Sequence, residues 1–118
     1  MRRASLIALL CLMGSIAHAR CDLRIFNTSG HAVAFYTANL FGHDGLFIGK
    51  QDPVYQGNAF SWISTTQCIS NTHLIARETY GNQTVEYESS LRFSTQANQV
   101  LVLVYNRQHQ FCYQHQCG

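Results

Sequence analysis

The 118-residue chain carries eight Lys and Arg against six Asp and Glu, and charged residues make up only 12% of it. Arg2 and Arg3 precede an apolar amino-terminal run, so the rest of the chain balances six basic against six acidic residues. That balance excludes the basic surface that nucleic-acid binding needs, and the lack of charge runs or low-complexity blocks excludes a disordered chain.

The first segment, residues 1–19, reads as a secretory signal peptide. Two arginines are followed by an apolar stretch over residues 6–16 and then by Ala17-His18-Ala19, which is the small-x-small pattern of a cleavage site. The apolar stretch is too short to span a bilayer, which takes about 20 residues. Cleavage is expected after Ala19, leaving one domain over residues 20–118 with no membrane span. The leader implies a periplasmic or secreted protein. Removal of Cys11 leaves Cys21, Cys68, Cys112 and Cys117, an even number that an oxidising compartment favours as two disulfides. Asn27-Thr28-Ser29 and Asn82-Gln83-Thr84 match the glycosylation tripeptide. Two such matches are near the number that composition alone produces and carry no weight.

The remainder predicts an all-β fold. Short alternating segments are expected at residues 23–26, 32–40, 46–49, 59–65, 73–79, 83–88, 91–93 and 100–105. Residues 83–93 are read as one strand with a bulge at Ser89-Ser90. Turn residues recur every 8–12 positions, and no useful stretch beyond the leader has helical period. The expected architecture is a small, disulfide-stabilised antiparallel β-sandwich of about seven strands, Ig-like or Greek-key. The chain matches no family pattern by inspection: it has neither the crystallin Greek-key signature nor the terminal strand of a fimbrial subunit.

Two stretches say more. Tyr80-Gly81-Asn82-Gln83 predicts a hairpin in which Thr79 faces Thr84, Arg77 faces Glu86 and Ala76 faces Tyr87. Arg77, Glu86 and Glu88 then share a face, read as a solvated cross-strand ion pair rather than a carboxylate site. Val100-Leu101-Val102-Leu103-Val104-Tyr105 is apolar on both faces, the mark of a strand covered on both sides. The tail after Asn106 is the expected cover, with Phe111 and Tyr113 against the second face. A homodimer is the second choice.

The tail also carries most of the candidate chemistry. His109, Cys112, His115 and Cys117 are spaced as soft metal ligands, but oxidised cysteines leave only two histidines, so no metal and no cofactor is expected. In an extended tail, His109, Phe111, Tyr113 and His115 would line one face. Five residues of strand span about 16 Å, whereas a disulfide requires Cα atoms within about 7 Å, so a straight tail and a Cys112–Cys117 bond exclude one another. The expected pairing is Cys21–Cys68 with Cys112–Cys117, which requires a turn at Gln114-His115-Gln116. Its premise is that the start of the first strand and the end of the fourth share a pole.

Histidines 31, 43, 73, 109 and 115 and carboxylates 78, 86 and 88 are parts from which a hydrolase could be assembled, but no spacing selects a set, and no nucleophile or phosphate-cradling motif occurs. The functional expectation is a non-enzymatic binding protein for another protein or an envelope glycan. Tyr55, Trp62, His109, Phe111, Tyr113 and His115 are its candidate contacts, together with the loop over residues 51–58; Tyr36, Phe47 and Tyr80 are further aromatic candidates. The alternatives are a secreted phosphodiester or glycan hydrolase, a metal-handling protein using the tail, and an immunity or inhibitor protein.

Overall fold

The structure is a computed structural model that describes residues 19–38 and 53–118. The leader before Ala19, the last two residues of the expected 32–40 strand, His43, the expected strand at 46–49 with Phe47, and residues 51–52 of the 51–58 loop lie outside the described residues. Eight strands follow in order: β1 (Cys21–Asn27), β2 (Ala32–Thr37), β3 (Ala59–Ser64), β4 (Leu74–Tyr80), β5 (Gln83–Glu88), β6 (Gln99–Tyr105), β7 (Phe111–Tyr113) and β8 (Gln116–Cys117). They form a five-stranded sheet in the order β3-β1-β6-β7-β8 and a three-stranded sheet in the order β2-β4-β5. Among the described residues no helix is long and apolar enough to cross a membrane.

Period-two alternation explains how the two sheets meet. Leu23 and Ile25 of β1, Phe60 of β3, Leu103 and Tyr105 of β6 and Phe111 of β7 point inward from the larger sheet. Val33, Phe35, Leu74 and Ala76 point back from the smaller one. Phe35 is central, with its ring 5.6–5.9 Å from those of Phe60, Tyr105 and Phe111. Edge-to-face and tilted ring contacts of this kind add to the area that burial removes from water.

The β4–β5 hairpin has the expected register, with Ala76 opposite Tyr87, Arg77 opposite Glu86 and Thr79 opposite Thr84. Gly81 takes φ 58° at the turn, a conformation that glycine adopts without steric cost. Arg77 donates to Glu86 Oε2 through Nε at 2.8 Å and Nη2 at 2.6 Å, and its guanidinium lies 4.5 Å from the centre of the Tyr36 ring.

Four expectations need correction. Among the described residues the sandwich has eight strands, in an order unlike the immunoglobulin one. It is not wholly antiparallel, because β1 and β6 pair in parallel along their full length, from Cys21↔Gln99 to Asn27↔Tyr105. The reason is the crossover: β6 enters from the smaller sheet at the pole where β1 starts, with Asn98 N donating to Arg20 O. Residues 91–93 do not continue β5. The buried Ser89 turns the chain instead: its Oγ accepts from Leu74 N at 2.9 Å and donates to Leu91 O at 2.6 Å, which leaves Phe93 a single bridge to Thr72. Finally, the tail does not cover the outer face of β6. It extends the sheet sideways as β7 and β8, and Phe111 enters the core between the sheets.

Both expected disulfides form. Cys21 and Cys68 have Cα atoms 5.4 Å apart, and the route is more direct than a shared pole. β3 is the antiparallel neighbour of β1, and Cys21 lies opposite Ser64, four residues before Cys68. Cys112 and Cys117 face each other across the β7–β8 hairpin, with Cα atoms 4.0 Å apart. Phe111 and Gly118 exchange both main-chain hydrogen bonds, so Cys112–Cys117 is the adjacent non-hydrogen-bonded pair, where side chains come closest. The turn is confined to Gln114 and His115, and Gln114 takes φ 54°.

Asn27-Thr28-Ser29 is a structural element. Asn27 is fully buried. Its Nδ2 donates to His31 O and Val54 O, both at 2.7 Å, and its Oδ1 accepts from Ser29 N and Oγ. Both amide hydrogens are engaged inside the fold, so this tripeptide is not a sugar acceptor in the folded state.

Candidate functional site

Three features stand out: the outward face of the five-stranded sheet, a cleft beside β6, and a buried carboxylate between the sheets.

The outward face follows from alternation on three adjacent strands. The inward set of β1 and β6 leaves Arg24, Phe26, Val100, Val102 and Val104 pointing away from the core, and β3 adds Ser61 and Ile63. Eight large apolar side chains are exposed among the described residues, and Phe26, Ile63, Val100, Val102 and Val104 account for five of them. Register sets them side by side: Ile63, Asp22 and Val100 form one row, Ser61, Arg24 and Val102 the next, and Ala59, Phe26 and Val104 the third. Arg24 is exposed in the middle row of the middle strand and makes no ion pair among the described residues. Contiguous exposed apolar patches are a general feature of interaction surfaces. Along β1 the neighbours of Arg24 are Asp22 and Phe26, and across it Ser61 and Val102; in protein interfaces generally Arg is enriched and Lys depleted.

The cleft lies on the other side of β6. Its volume is about 290 Å³, near the lower end for small-ligand pockets. Phe93 and Leu101 line its apolar part, Tyr113 and Gln116 come from the tail hairpin, and Arg92, Ser94, Gln96 and Gln99 supply polar groups. The Cys112–Cys117 bond holds the hairpin that carries Tyr113 and Gln116.

The buried carboxylate belongs to Glu78, which is fully inaccessible. The alternation of Leu74, Ala76 and Glu78 along β4 turns it inward. The Tyr105 hydroxyl and His109 Nδ1, at 2.6 Å, donate to its Oε2, and the Tyr80 hydroxyl donates to Oε1. The His109 ring stacks on Tyr87 with centroids 3.8 Å apart. Local structure places that ring. Asn106 Oδ1 accepts from Gln108 N and Gln110 N at 3.0 Å, and the turn puts His109 at φ 62°. Burial alone would raise the Glu78 carboxyl, but its three hydrogen-bond donors and the His109 ring outweigh this and hold it below its ordinary value. Tyr105 is pushed up by burial and by Glu78, and Tyr80 by its hydrogen bond to Glu78 and by burial. A carboxylate on Nδ1 is how a general-base imidazole is oriented. No hydroxyl or thiol is hydrogen-bonded to His109 among the described residues apart from this network. The arrangement reads as a clamp joining the tail and β6 to the smaller sheet.

The sequence-selected residues are not brought together. Phe111 is fully buried in the core. His109 serves the Glu78 clamp, Tyr113 lines the cleft, and His115 is exposed at the hairpin turn. Trp62 is half-buried against the core, and Tyr55 is exposed in the turn before β3. The two tail cysteines are bonded to each other, which removes the thiolates from the tail's metal-ligand spacing. No group of three or more metal-ligating side chains occurs among the described residues. Arg24 and Glu78 were not selected as contacts, although strand alternation signals the placement of both.

Comparison with protein-family models, with curated proteins and with solved structures finds no match.

Proposed function

We propose that this is a small exported, non-enzymatic module that binds another protein through the outward face of its five-stranded sheet. The observation that carries the reading is Arg24, without an ion pair among the described residues and set among Phe26, Ile63, Val100, Val102 and Val104, with Asp22 and Ser61 as its other neighbours. The fitting partner presents a carboxylate within an apolar surface, since the buried guanidinium needs a charge-assisted hydrogen bond. A symmetric homodimer centred on this face is disfavoured, because it would oppose two guanidinium groups. The two disulfides are compatible with an oxidising extracytoplasmic compartment.

The test is a photo-cross-linking residue placed at Val102 or Ile63, with exposed Gln67 as the control, in the cells that make the protein. The reading expects one discrete partner from positions 102 and 63, none from 67, and loss of the adduct on Arg24→Glu. Absence of a discrete adduct, an adduct with a second copy of the chain, or indifference to Arg24→Glu would each defeat it.

A further inference from the structure

The β6 strand is paired unequally on its two sides. Its parallel ladder with β1 runs over all seven residues, whereas its antiparallel ladder with β7 consists of Val104↔Cys112 and Tyr105↔Phe111 only. Main-chain hydrogen bonds show which groups this leaves unpaired. Thr28 N donates to Tyr105 O, so the odd-numbered residues of β6 serve β1. Asn106 N donates to Gln110 O, so the even-numbered residues serve the β7 side. Val104 finds its partner in Cys112. The N–H and C=O of Val100 and Val102 point to the same side, where no strand among the described residues pairs with them. The cleft containing Tyr113, Gln116, Gln96 and Gln99 opens on that side. The gap exists because β7 turns back at Gln114 and its disulfide holds the short hairpin closed.

We infer that the edge of β6 over Val100–Val102, unpaired among the described residues, is a strand-addition site that takes an extended segment of a partner protein. Two main-chain donors and two acceptors are presented in strand geometry, which is what edge-to-strand recognition uses for affinity. Exposed edges are ordinarily blunted by charge, proline or a covering element, and β6 over these residues has neither charge nor proline. The occupant's chemistry follows from position. An added strand continues the sheet, so its outward residues prolong the Val100, Val102 and Val104 face and are apolar. Its alternate residues enter the cleft, above Phe93 and Leu101 and among the polar side chains of Arg92, Ser94, Gln96 and Gln99. This rests on the protein-binding reading above and adds a second, main-chain mode of contact.

The test is to pan random displayed peptides of about eight residues, a strand's length, against the disulfide-intact protein, and then to follow amide hydrogen exchange. In the free protein Leu101 and Leu103 amides are expected to exchange slowly and Val100 and Val102 amides quickly. Selected peptides should alternate apolar and polar residues, and they should protect Val100 and Val102 when bound. Val102→Pro should abolish peptide binding while keeping the fold, because that N–H has no ladder partner to lose. If this variant does not fold, amide exchange in the unsubstituted protein still decides. Protection of Val100 and Val102 in the free protein would overturn the inference, as would peptides that protect neither amide. Peptides sensitive to Arg24→Glu but not to Val102→Pro would overturn it and leave the outward-face reading intact. Displacement of the peptides by envelope oligosaccharides, or protection that appears only with concentration-dependent self-association, would also refute it.

Discussion

Glu78 should hold the two sheets together through its charge, and replacing it separates charge from shape. Glu78→Gln keeps the volume and one carbonyl acceptor for Tyr105, Tyr80 and His109 but removes the anion. Hydrogen bonds to a charged group contribute about 1.5–3 kcal/mol each against about 1 for neutral ones, so the expected loss is about 1–3 kcal/mol. Glu78→Ala also leaves the buried Tyr105 hydroxyl and the part-buried Tyr80 hydroxyl and His109 ring without their acceptor. At about 1–3 kcal/mol for each buried group left unpaired, the loss should be about 3–5 kcal/mol in total. In a domain of this size each kcal/mol moves Tm by about 4–8 °C, so the alanine variant should melt roughly 15–30 °C lower. Thermal and urea denaturation of disulfide-intact protein give both values.

The pH dependence follows from the directions of the shifts. The Glu78 carboxyl is held below its ordinary 4.5 in the folded state, so its contribution is complete above that value and is lost as pH falls below it. Tyr105 and Tyr80 are raised above their ordinary 10.0. Unfolded tyrosines therefore ionise first, and stability also falls as pH rises past about 10. Glu78→Gln should remove the Glu78 part of the acid limb and reduce the alkaline limb, where the burial of Tyr105 remains. A glutamine variant as stable as the parent at neutral pH, with an unchanged acid limb, would refute the clamp.

Two further predictions concern positions the sequence singles out. Asn27→Ala leaves the N–H of Ser29 without its acceptor and takes one of two donors from each of the carbonyls of His31 and Val54, which keep Ser29 Oγ and Val33 N. At about 1–3 kcal/mol for the unpaired Ser29 N–H and about 1 for each hydrogen bond lost at the two carbonyls, the loss should exceed 2 kcal/mol in urea denaturation, with no glycan detected by mass on the parent. Breaking Cys21–Cys68 should cost more than breaking Cys112–Cys117. The sequence separations are 47 and 5, which the chain-entropy model converts to about 4 and about 2 kcal/mol. Equal midpoints for Cys21→Ala and Cys117→Ala would contradict that order.

Much of this fold is legible in short-range pattern. Alternation and turn residues alone establish the all-β class and the β4–β5 register, because a two-residue hairpin turn fixes which residues face each other. The distance that five extended residues span forces the tail to bend once Cys112 and Cys117 pair. The burial of Glu78 was also within reach, since it follows Leu74 and Ala76 on the inward side of β4. Its partner was not, because His109 lies 31 residues away on a different sheet. The parallel β1–β6 ladder, the direct β1–β3 route to Cys21–Cys68, and the early end of the β6–β7 ladder likewise depend on which strands become neighbours. Alternation specifies the two faces of a strand and says nothing of its edges. The apolar pattern over residues 100–105 therefore showed that β6 had a second face to cover, while only the tertiary arrangement left that face and part of one edge open, with Arg24 beside them.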